Sequence, residues 1–297
     1  MKRKLVKQGA ATLMISLPAK WIKKYYLKKG DEVDIQEVEN DLVISKEGIE
    51  TKKKTKINLG NYTESSTRTA VVNAYRSGFD VIEINFKDKK HYNIIKDVLR
   101  DYIIGFDIIK KGENYCIIEN ITEPSEEQFD IIFRKILFSI SSLIKNTEQR
   151  LRNEGFEDYK EMVMKIHKYD NFCRRVISKK NLFGSKSNLF WSFLTLLIHG
   201  QREIYHLNRF LDKNKVNFRG FEFFGKVEKI FGLLQEGYIK KDLVMLEEIH
   251  ELEKKFIYDD FYTSIQRNQK ESIILFHLAV SIKNFYLASS PLIGLLL

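Results

Sequence analysis

Two pairs of acidic and imidazole side chains stand at a spacing that suits metal binding. Glu203 precedes His206 by three residues, and Glu247 precedes His250 by the same interval. On a helix this interval puts both side chains of a pair on one face, and di-iron bundles combine two such pairs with glutamates from two other helices. Spacing identifies no further ligands, and glutamate is common enough here for chance pairs. We therefore expect no metal and no cofactor, and these four residues are the candidates if a metal binds.

No catalytic motif accompanies these residues. Gly220 and the pair Gly225-Lys226 have the spacing of a phosphate-binding loop, but Val227 stands where that loop needs a serine or threonine. No strand is predicted before it. The chain also contains no nucleophile–base motif and no dinucleotide fingerprint. We therefore expect that the protein is not an enzyme.

The excess positive charge lies at the amino-terminal end. The 297 residues carry a net charge of +10, from 50 basic and 40 acidic side chains. Nine of the basic residues and none of the acidic ones fall within the first thirty positions, so the rest of the chain is almost neutral. This asymmetry is typical of a polyanion-binding head attached to an electrically neutral body.

The basic segment has the pattern of a small folded domain. Glycine and asparagine turns separate short apolar runs, and Pro18 suits the first turn of a helix. The predicted order is ββαββ, with strands at 4–7, 12–17, 32–38 and 42–44, a turn at 9–11 and a helix at 18–26. About 45 residues bury too little apolar surface to fold alone. We therefore expect a second copy of the chain to complete this domain, which we place at residues 1–48.

Two segments of this head carry a resemblance to a known family. Gly9–Trp21, which contains Ser16-Leu17-Pro18-Ala19-Lys20-Trp21, and Leu27–Val33 together resemble the AbrB/MazE/SpoVT swapped-hairpin family. The resemblance covers residues 1–47 and implies an intertwined dimeric β-barrel that binds duplex DNA. Carried onto this chain, it implies DNA contacts from Lys2, Arg3, Lys4, Lys7, Lys20, Lys23 and Lys24. Lysine suits phosphates better than base edges, so we expect backbone contacts to dominate and Arg3, Gln8 and Thr12 to supply any base reading.

A small α/β module is predicted at residues 56–121. Apolar runs and helical periodicity give the order βαβαββ, ending in a hairpin, and no phosphate-binding loop lies within it. The lysine run Lys52–Lys54 and Lys56 precede the module. Charge alone leaves two interpretations of this run open, an extra phosphate contact or a solvated linker.

The remaining residues, 124–297, are predicted to form six helices. Ser125 and Gln128 make a capping box at the first, and the last is predicted to span 264–289. Behind the head and the module, the segments Tyr169–Arg175 and Ile204–Leu211 resemble the archaeal-type PhoU-related phosphate uptake regulators. The resemblance implies a sensor or partner-binding helical domain. The acidic pairs with which PhoU proteins bind metal clusters are not kept here, since Ile166 stands four residues before Asp170 and Leu207 four after Glu203.

The predicted protein is therefore a multidomain α+β chain: a swapped-hairpin β-barrel, a small α/β module and a PhoU-like helical bundle. We expect a homodimeric or larger DNA-binding transcriptional regulator, with phosphate uptake as its process. The alternative is a signalling adaptor that binds a phosphate transporter or kinase and uses its head only to dimerise. Two cysteines and no signal peptide favour the cytoplasm. The apolar runs at 189–198 and 272–297 are short or interrupted, so we expect no membrane span.

Overall fold

The chain folds into two compact units. A computed structural model describes residues 2–9, 12–38, 41–46, 52–122, 125–180, 182–267 and 271–297. The units are Met1–Thr51 and Lys52–Leu297. The predicted domain limits at residues 48 and 124, and the turn positions 10 and 11, lie outside the described residues.

The first unit, called the head below, contains two β-hairpins and one short helix. Antiparallel strands β1 (Val6–Gln8) and β2 (Thr12–Met14) form one sheet, and β3 (Val33–Val38) and β4 (Asp41–Lys46) form the other. Helix α1 (Ala19–Lys24) lies between them in sequence. The order ββαββ agrees with the prediction, but the two sheets are separate and close no barrel within the described residues. A single chain has too few strands for closure, so a barrel would need strands from another copy.

The second unit begins with a four-stranded sheet. Its strands are β5 (Lys54–Leu59), β6 (Val81–Phe86), β7 (Phe106–Lys111) and β8 (Tyr115–Asn120), and its helices are α2 (Glu64–Arg76) and α3 (Lys90–Tyr102). The sheet order is β5-β6-β8-β7, and only the β5–β6 pair is parallel because α2 crosses over between them. Alternate residues of β6 are buried, so one face of the sheet packs into a core with α2 and α3.

The lysine run before the module is not a solvated linker. Lys54 and Lys56 lie in β5, the Lys52 ammonium pairs with Glu119, and the Lys56 ammonium lies 2.7 Å from a Glu83 oxygen. The alternation of half-buried and exposed positions along β5 explains why a strand tolerates these lysines, since their charges face solvent. The module therefore starts before residue 56.

The rest of the second unit is helical. The helices are α4 (Glu126–Leu151), α5 (Tyr159–Lys180), α6 (Ser187–Leu211), α7 (Glu222–Lys240), α8 (Leu243–Lys254), α9 (Tyr262–Arg267) and α10 (Ser272–Leu296). The Ser125–Gln128 capping box is confirmed at the start of α4. A π-helical segment, Lys255–Phe261, joins α8 to α9. The single helix predicted at 264–289 is therefore wrong: α9 ends at Arg267, and α10 begins at Ser272 and continues through Pro291.

Helices α6 and α10 pack closely at the centre of this bundle. A Cβ added at Gly200 of α6 would overlap the Phe285 ring of α10, so glycine permits the contact. The Ser281 hydroxyl also donates to the Gly200 carbonyl at 2.9 Å. Among the described residues, α10 is the helix that is long and apolar enough to cross a membrane. Its most apolar stretch of 18 residues has a mean hydropathy of 1.3, and half of that stretch is buried inside the protein. Core helices of soluble proteins share these properties, so the absence of a membrane span remains a prediction.

Both cysteines are buried free thiols. Cys116 lies in the core of the α/β module and Cys173 in the core of the helical bundle. Burial raises the pKa of Cys116 to about 11 and also raises the pKa of Cys173. Both thiols are therefore protonated and unreactive in the folded protein at neutral pH.

Candidate nucleic-acid interface

Helix α1 presents three lysines on one face. Lys20, Lys23 and Lys24 are three and four residues apart, a spacing that places side chains side by side on a helix, and all three are exposed. Trp21 and Ile22 occupy other positions of this short helix and are half-buried. The helix thus separates a cationic surface from an apolar one, as a phosphate-binding element requires.

The first hairpin brings Gln8 and Thr12 together. They are directly opposite one another on β1 and β2, and Lys7 is opposite Leu13. Successive strand residues point to opposite faces, so Gln8 and Thr12 share one face of the hairpin and Lys7 lies on the other. The two predicted base-reading residues of the hairpin are therefore neighbours. Lys7 contributes to a different surface.

The predicted phosphate-binding residues are exposed and have no acidic partner among the residues that the structure describes. Lys2, Arg3 and Lys4 lie before β1, outside any strand. In the described segments 2–9 and 12–30, no lysine or arginine side chain forms a salt bridge with a described residue, although the Lys24 ammonium lies 5.2 Å from the centre of the Tyr25 ring. The positive charge is therefore free to attract an external polyanion.

The head also exposes an unusual amount of apolar surface. No described side chain of residues 2–46 is buried, and several large apolar ones are more than half exposed. Leu13 is 61% exposed and Leu42 is 69% exposed. The strands of this unit therefore have no core of their own, which is the arrangement expected of a domain completed by another chain.

The two candidate metal-binding pairs are not assembled into one site. The Glu203 carboxylate is 2.9 Å from Nδ1 of His277 on α10, and the His206 and His277 rings are 6.4 Å apart. His250, in contrast, packs edge-on against the Tyr286 ring. No group of three or more histidine, cysteine or acidic residues suited to a metal occurs in the described part of the chain. Burial lowers the pKa of His206 despite the nearby Glu203 carboxylate, so its imidazole is neutral at pH 7.

Sequence reasoning missed a buried polar junction between the α/β module and helix α5. The Arg76 guanidinium of α2 donates to Asp170 at 2.9 Å and to Asn171 at 2.7 Å, and the Asn171 amide donates to the carbonyl of Tyr102 at 2.8 Å. Arg174, one turn further along α5, donates to the same Asp170 carboxylate at 2.8 Å. Asp170 and Asn171 are each 1% exposed. This junction ties the two parts of the second unit together.

The same residues carried the PhoU resemblance in the sequence. The available signal was weak, because Asp170, Asn171, Arg174 and Arg175 lie close together on a helix that also carries lysines on both sides of them. Buried charges are rare unless they are paired, so a charged cluster on a core helix predicts a partner elsewhere in the chain. The junction supplies a structural role for the segment.

A protein-family model matches the head of the chain. The model, described as antidote-toxin recognition MazE, bacterial antitoxin, covers residues 6–55. This match supports the amino-terminal part of the sequence resemblance and the presence of an AbrB/MazE-like domain. It does not extend into the helical bundle. No curated protein and no solved structure gives a significant match to the chain.

Proposed function

We propose that this protein is a homodimeric DNA-binding regulator whose head binds duplex DNA. The observation that carries the proposal is the combination, in one small unit, of nine basic residues without acidic partners in its described part and apolar strands that have no core. The family match to residues 6–55 supports it, since an AbrB/MazE-like domain is consistent with a DNA-binding or antitoxin-type regulator.

The second copy supplies what the single head lacks. Leu13, Leu42 and their apolar neighbours are exposed in one chain, and burying them against the same residues of a partner would provide a core. A dimer also doubles the cationic surface and presents it with two-fold symmetry, which suits a duplex. Dimerisation and DNA binding are therefore linked in this proposal.

Phosphate contacts dominate binding in this proposal. Eighteen basic residues per dimer are available from the first thirty positions, and we expect roughly six to eight of them to reach phosphates, which gives a log–log salt slope of about −5 to −7. The Gln8–Thr12 pair and Arg3 are the groups that would read base edges. Sequence preference should therefore depend on these three residues, and affinity on the lysines.

The test is a fluorescence anisotropy titration of the full chain with a labelled duplex across a series of salt concentrations. Replacing Lys4 and Lys7 with alanine should weaken binding to all sequences alike and flatten the slope by about 0.9 for each phosphate that the variant no longer neutralises. The matched control replaces Lys213 and Lys215, two exposed lysines between α6 and α7, and should leave the slope unchanged. No binding at low salt, or an unchanged slope in the Lys4/Lys7 variant, would contradict the proposal.

An antitoxin-type regulator is the second candidate, and the description of the matched family model is what favours it. The phosphate-uptake role, and the alternative role as an adaptor for a transporter or kinase, rest on the sequence resemblance of residues 124–297 alone. Mapping the genomic sites that the protein occupies separates the three roles, and the absence of any occupied site would favour the adaptor. Sites beside phosphate-transport genes would support the uptake role, and a site confined to the protein's own promoter would favour the antitoxin type.

A further inference from the structure

A cationic pocket lies within the second unit, and no described residue of the head lines it. Helix α2 forms one wall of this pocket, and helices α5 and α6 form the other. Its volume is about 520 Å³. That volume falls within the range of typical small-molecule sites, which occur preferentially where two structural layers meet.

The charged residues that line this pocket are all basic. They are Arg68 and Arg76 of α2, Lys160 of α5 and Arg202 of α6, and no aspartate or glutamate that the structure describes lines the pocket. His167 of α5 also lines it, and its pKa is lowered by burial and by the charges of Arg202, Arg76 and Arg68, although Asp170 acts in the opposite direction. A neutral imidazole in this position can accept or donate a hydrogen bond without adding to the charge.

The acidic residues around the pocket do not neutralise these cations. Asp170 divides its two oxygens between Arg76 and Arg174, so one carboxylate serves two guanidinium groups. The Asp212 carboxylate likewise pairs with the Arg150 guanidinium at 2.8 Å, and its other oxygen lies 3.6 Å from the Lys160 ammonium.

The two remaining arginines differ in how they are paired. Arg68 pairs with Glu64 at 2.6 Å, but that carboxylate is 67% exposed and screened by water. Arg202 forms no ion pair with any residue that the structure describes. The pocket therefore keeps an uncompensated positive charge.

The rest of the lining suits an organic ligand rather than a simple ion. Tyr102 and Tyr205 contribute half-buried aromatic rings, and Met164 and Val163 add apolar surface. The Arg68 guanidinium lies 5.1 Å from the centre of the Tyr102 ring, an arrangement that orients its planar donors. Guanidinium groups match phosphate oxygens in a bidentate fashion, and aromatic rings accept a flat apolar group beside them.

We propose that this pocket binds a small organic phosphate, with the guanidinium groups of Arg68, Arg76 and Arg202 on its phosphate oxygens and the tyrosines against its organic part. A ligand held in this way contacts the α/β module and the helical bundle at once. It should therefore stabilise the second unit, because it binds the folded state only. The inference does not depend on the DNA-binding proposal, since no residue of the head takes part.

The test uses the full chain with ATP and inorganic pyrophosphate as probes and adenosine as the uncharged control. We expect both phosphates to raise the melting temperature and to bind in calorimetric titrations, and adenosine to do neither. Arg202→Gln should weaken phosphate binding at least tenfold without loss of folding, because Arg202 is exposed and has no ion-pair partner in the described part of the chain. Arg267→Gln, an exposed arginine on α9, is the matched control and should bind normally.

The Lys4/Lys7 alanine variant separates this site from the head. It should retain full affinity for ATP and pyrophosphate even though its affinity for DNA falls. Failure of ATP and pyrophosphate to bind the wild-type chain would overturn the proposal. Equal binding by wild type and Arg202→Gln would also overturn it, as would loss of binding in the Lys4/Lys7 variant, which would place the anion on the head.

Discussion

Arg175 and Asp80 form a buried ion pair that joins helix α5 to the edge of the α/β module. Arg175 is 0% exposed, and its guanidinium donates to Oδ1 of Asp80 at 2.6 Å. Lys179, one turn later on α5, donates to the same oxygen at 2.6 Å, and the other oxygen accepts from the backbone N–H of Lys53 at 3.0 Å. One carboxylate therefore binds two cations of α5 and the backbone of the residue before β5.

Replacing Asp80 with asparagine should destabilise the second unit by about 3–5 kcal/mol, because it leaves the buried Arg175 charge without its counter-ion. Urea unfolding followed by circular dichroism measures this loss. Asp88→Asn is the matched control, since Asp88 pairs with Lys90 at an exposed position and its replacement should have little effect. A loss no larger than that of Asp88→Asn would show that the buried pair does not hold the junction.

Acid should remove the contribution of Asp80. Burial alone would raise its pKa, but the hydrogen bonds from Lys179, the Lys53 backbone and Arg175 hold the pKa below the ordinary value of 3.8. A carboxyl with a depressed folded-state pKa stabilises the protein above its unfolded-state pKa, and that stability is lost as the pH falls through the folded-state value. The stability difference between wild type and Asp80→Asn should therefore be constant near neutral pH and shrink below about pH 4. A difference that is independent of pH down to about 2 would contradict this explanation.

The fold was predictable where local signals decide the structure. The Ser125–Gln128 capping box marked the start of α4, and the alternating residues of β3 and β6 marked strands. Asp80 and Arg175, however, are 95 residues apart, and neither neighbourhood indicates the other. Buried polar pairing depends on the assembled tertiary structure, so a single sequence does not reveal it.

The candidate site was predictable as a set of residues but not as a surface. Charge located the basic residues in the first thirty positions. The register of the two strands puts Lys7 and the Gln8–Thr12 pair on opposite faces of the hairpin. This register depends on where the hairpin turns, and a shift of one residue would move each side chain of the shifted strand to the opposite face. The lysines of β5 were interpreted as part of a linker or as phosphate contacts because of their charge. That charge concealed their alternation with the half-buried Thr55 and Ile57, which is the pattern of a strand.

If the head dimerises as proposed, making its exposed apolar surface polar should weaken the dimer. Leu13→Ser removes a large apolar side chain that is 61% exposed in the single chain, so the monomer should tolerate it. If a second copy covers Leu13, the dimer dissociation constant should rise at least tenfold in sedimentation experiments. Ile131→Ser, 55% exposed on α4, is the control and should leave assembly unchanged. A wild-type chain that sediments as a monomer would rule out the homodimer.

Two amides on helix α6 should respond oppositely to apolar replacement. Gln201 is fully buried, and neither its oxygen nor its nitrogen has a hydrogen-bond partner among the described residues. Gln201→Met should therefore stabilise the protein by about 1 kcal/mol, since an unsatisfied buried amide is costly.

Asn208 is equally buried, but its amide donates to the Thr147 hydroxyl at 2.7 Å and its oxygen accepts from Arg150 at 3.1 Å. Asn208→Leu should destabilise the protein by about 1–3 kcal/mol, because it removes both side-chain hydrogen bonds from a buried position. Chemical unfolding of both variants measures the contrast. Destabilisation by Gln201→Met would contradict the account of the unsatisfied amide.

The two buried cysteines give the second unit a pair of built-in reporters. Cys116 sits in the core of the sheet and Cys173 in the core of the bundle, and each thiol becomes accessible to a labelling reagent only when its surroundings open. Labelling followed by peptide mapping therefore times the opening of each core separately. Equal rates would mean that sheet and bundle open as one cooperative body. A faster rate at Cys116 would mean that the module detaches while the bundle remains closed.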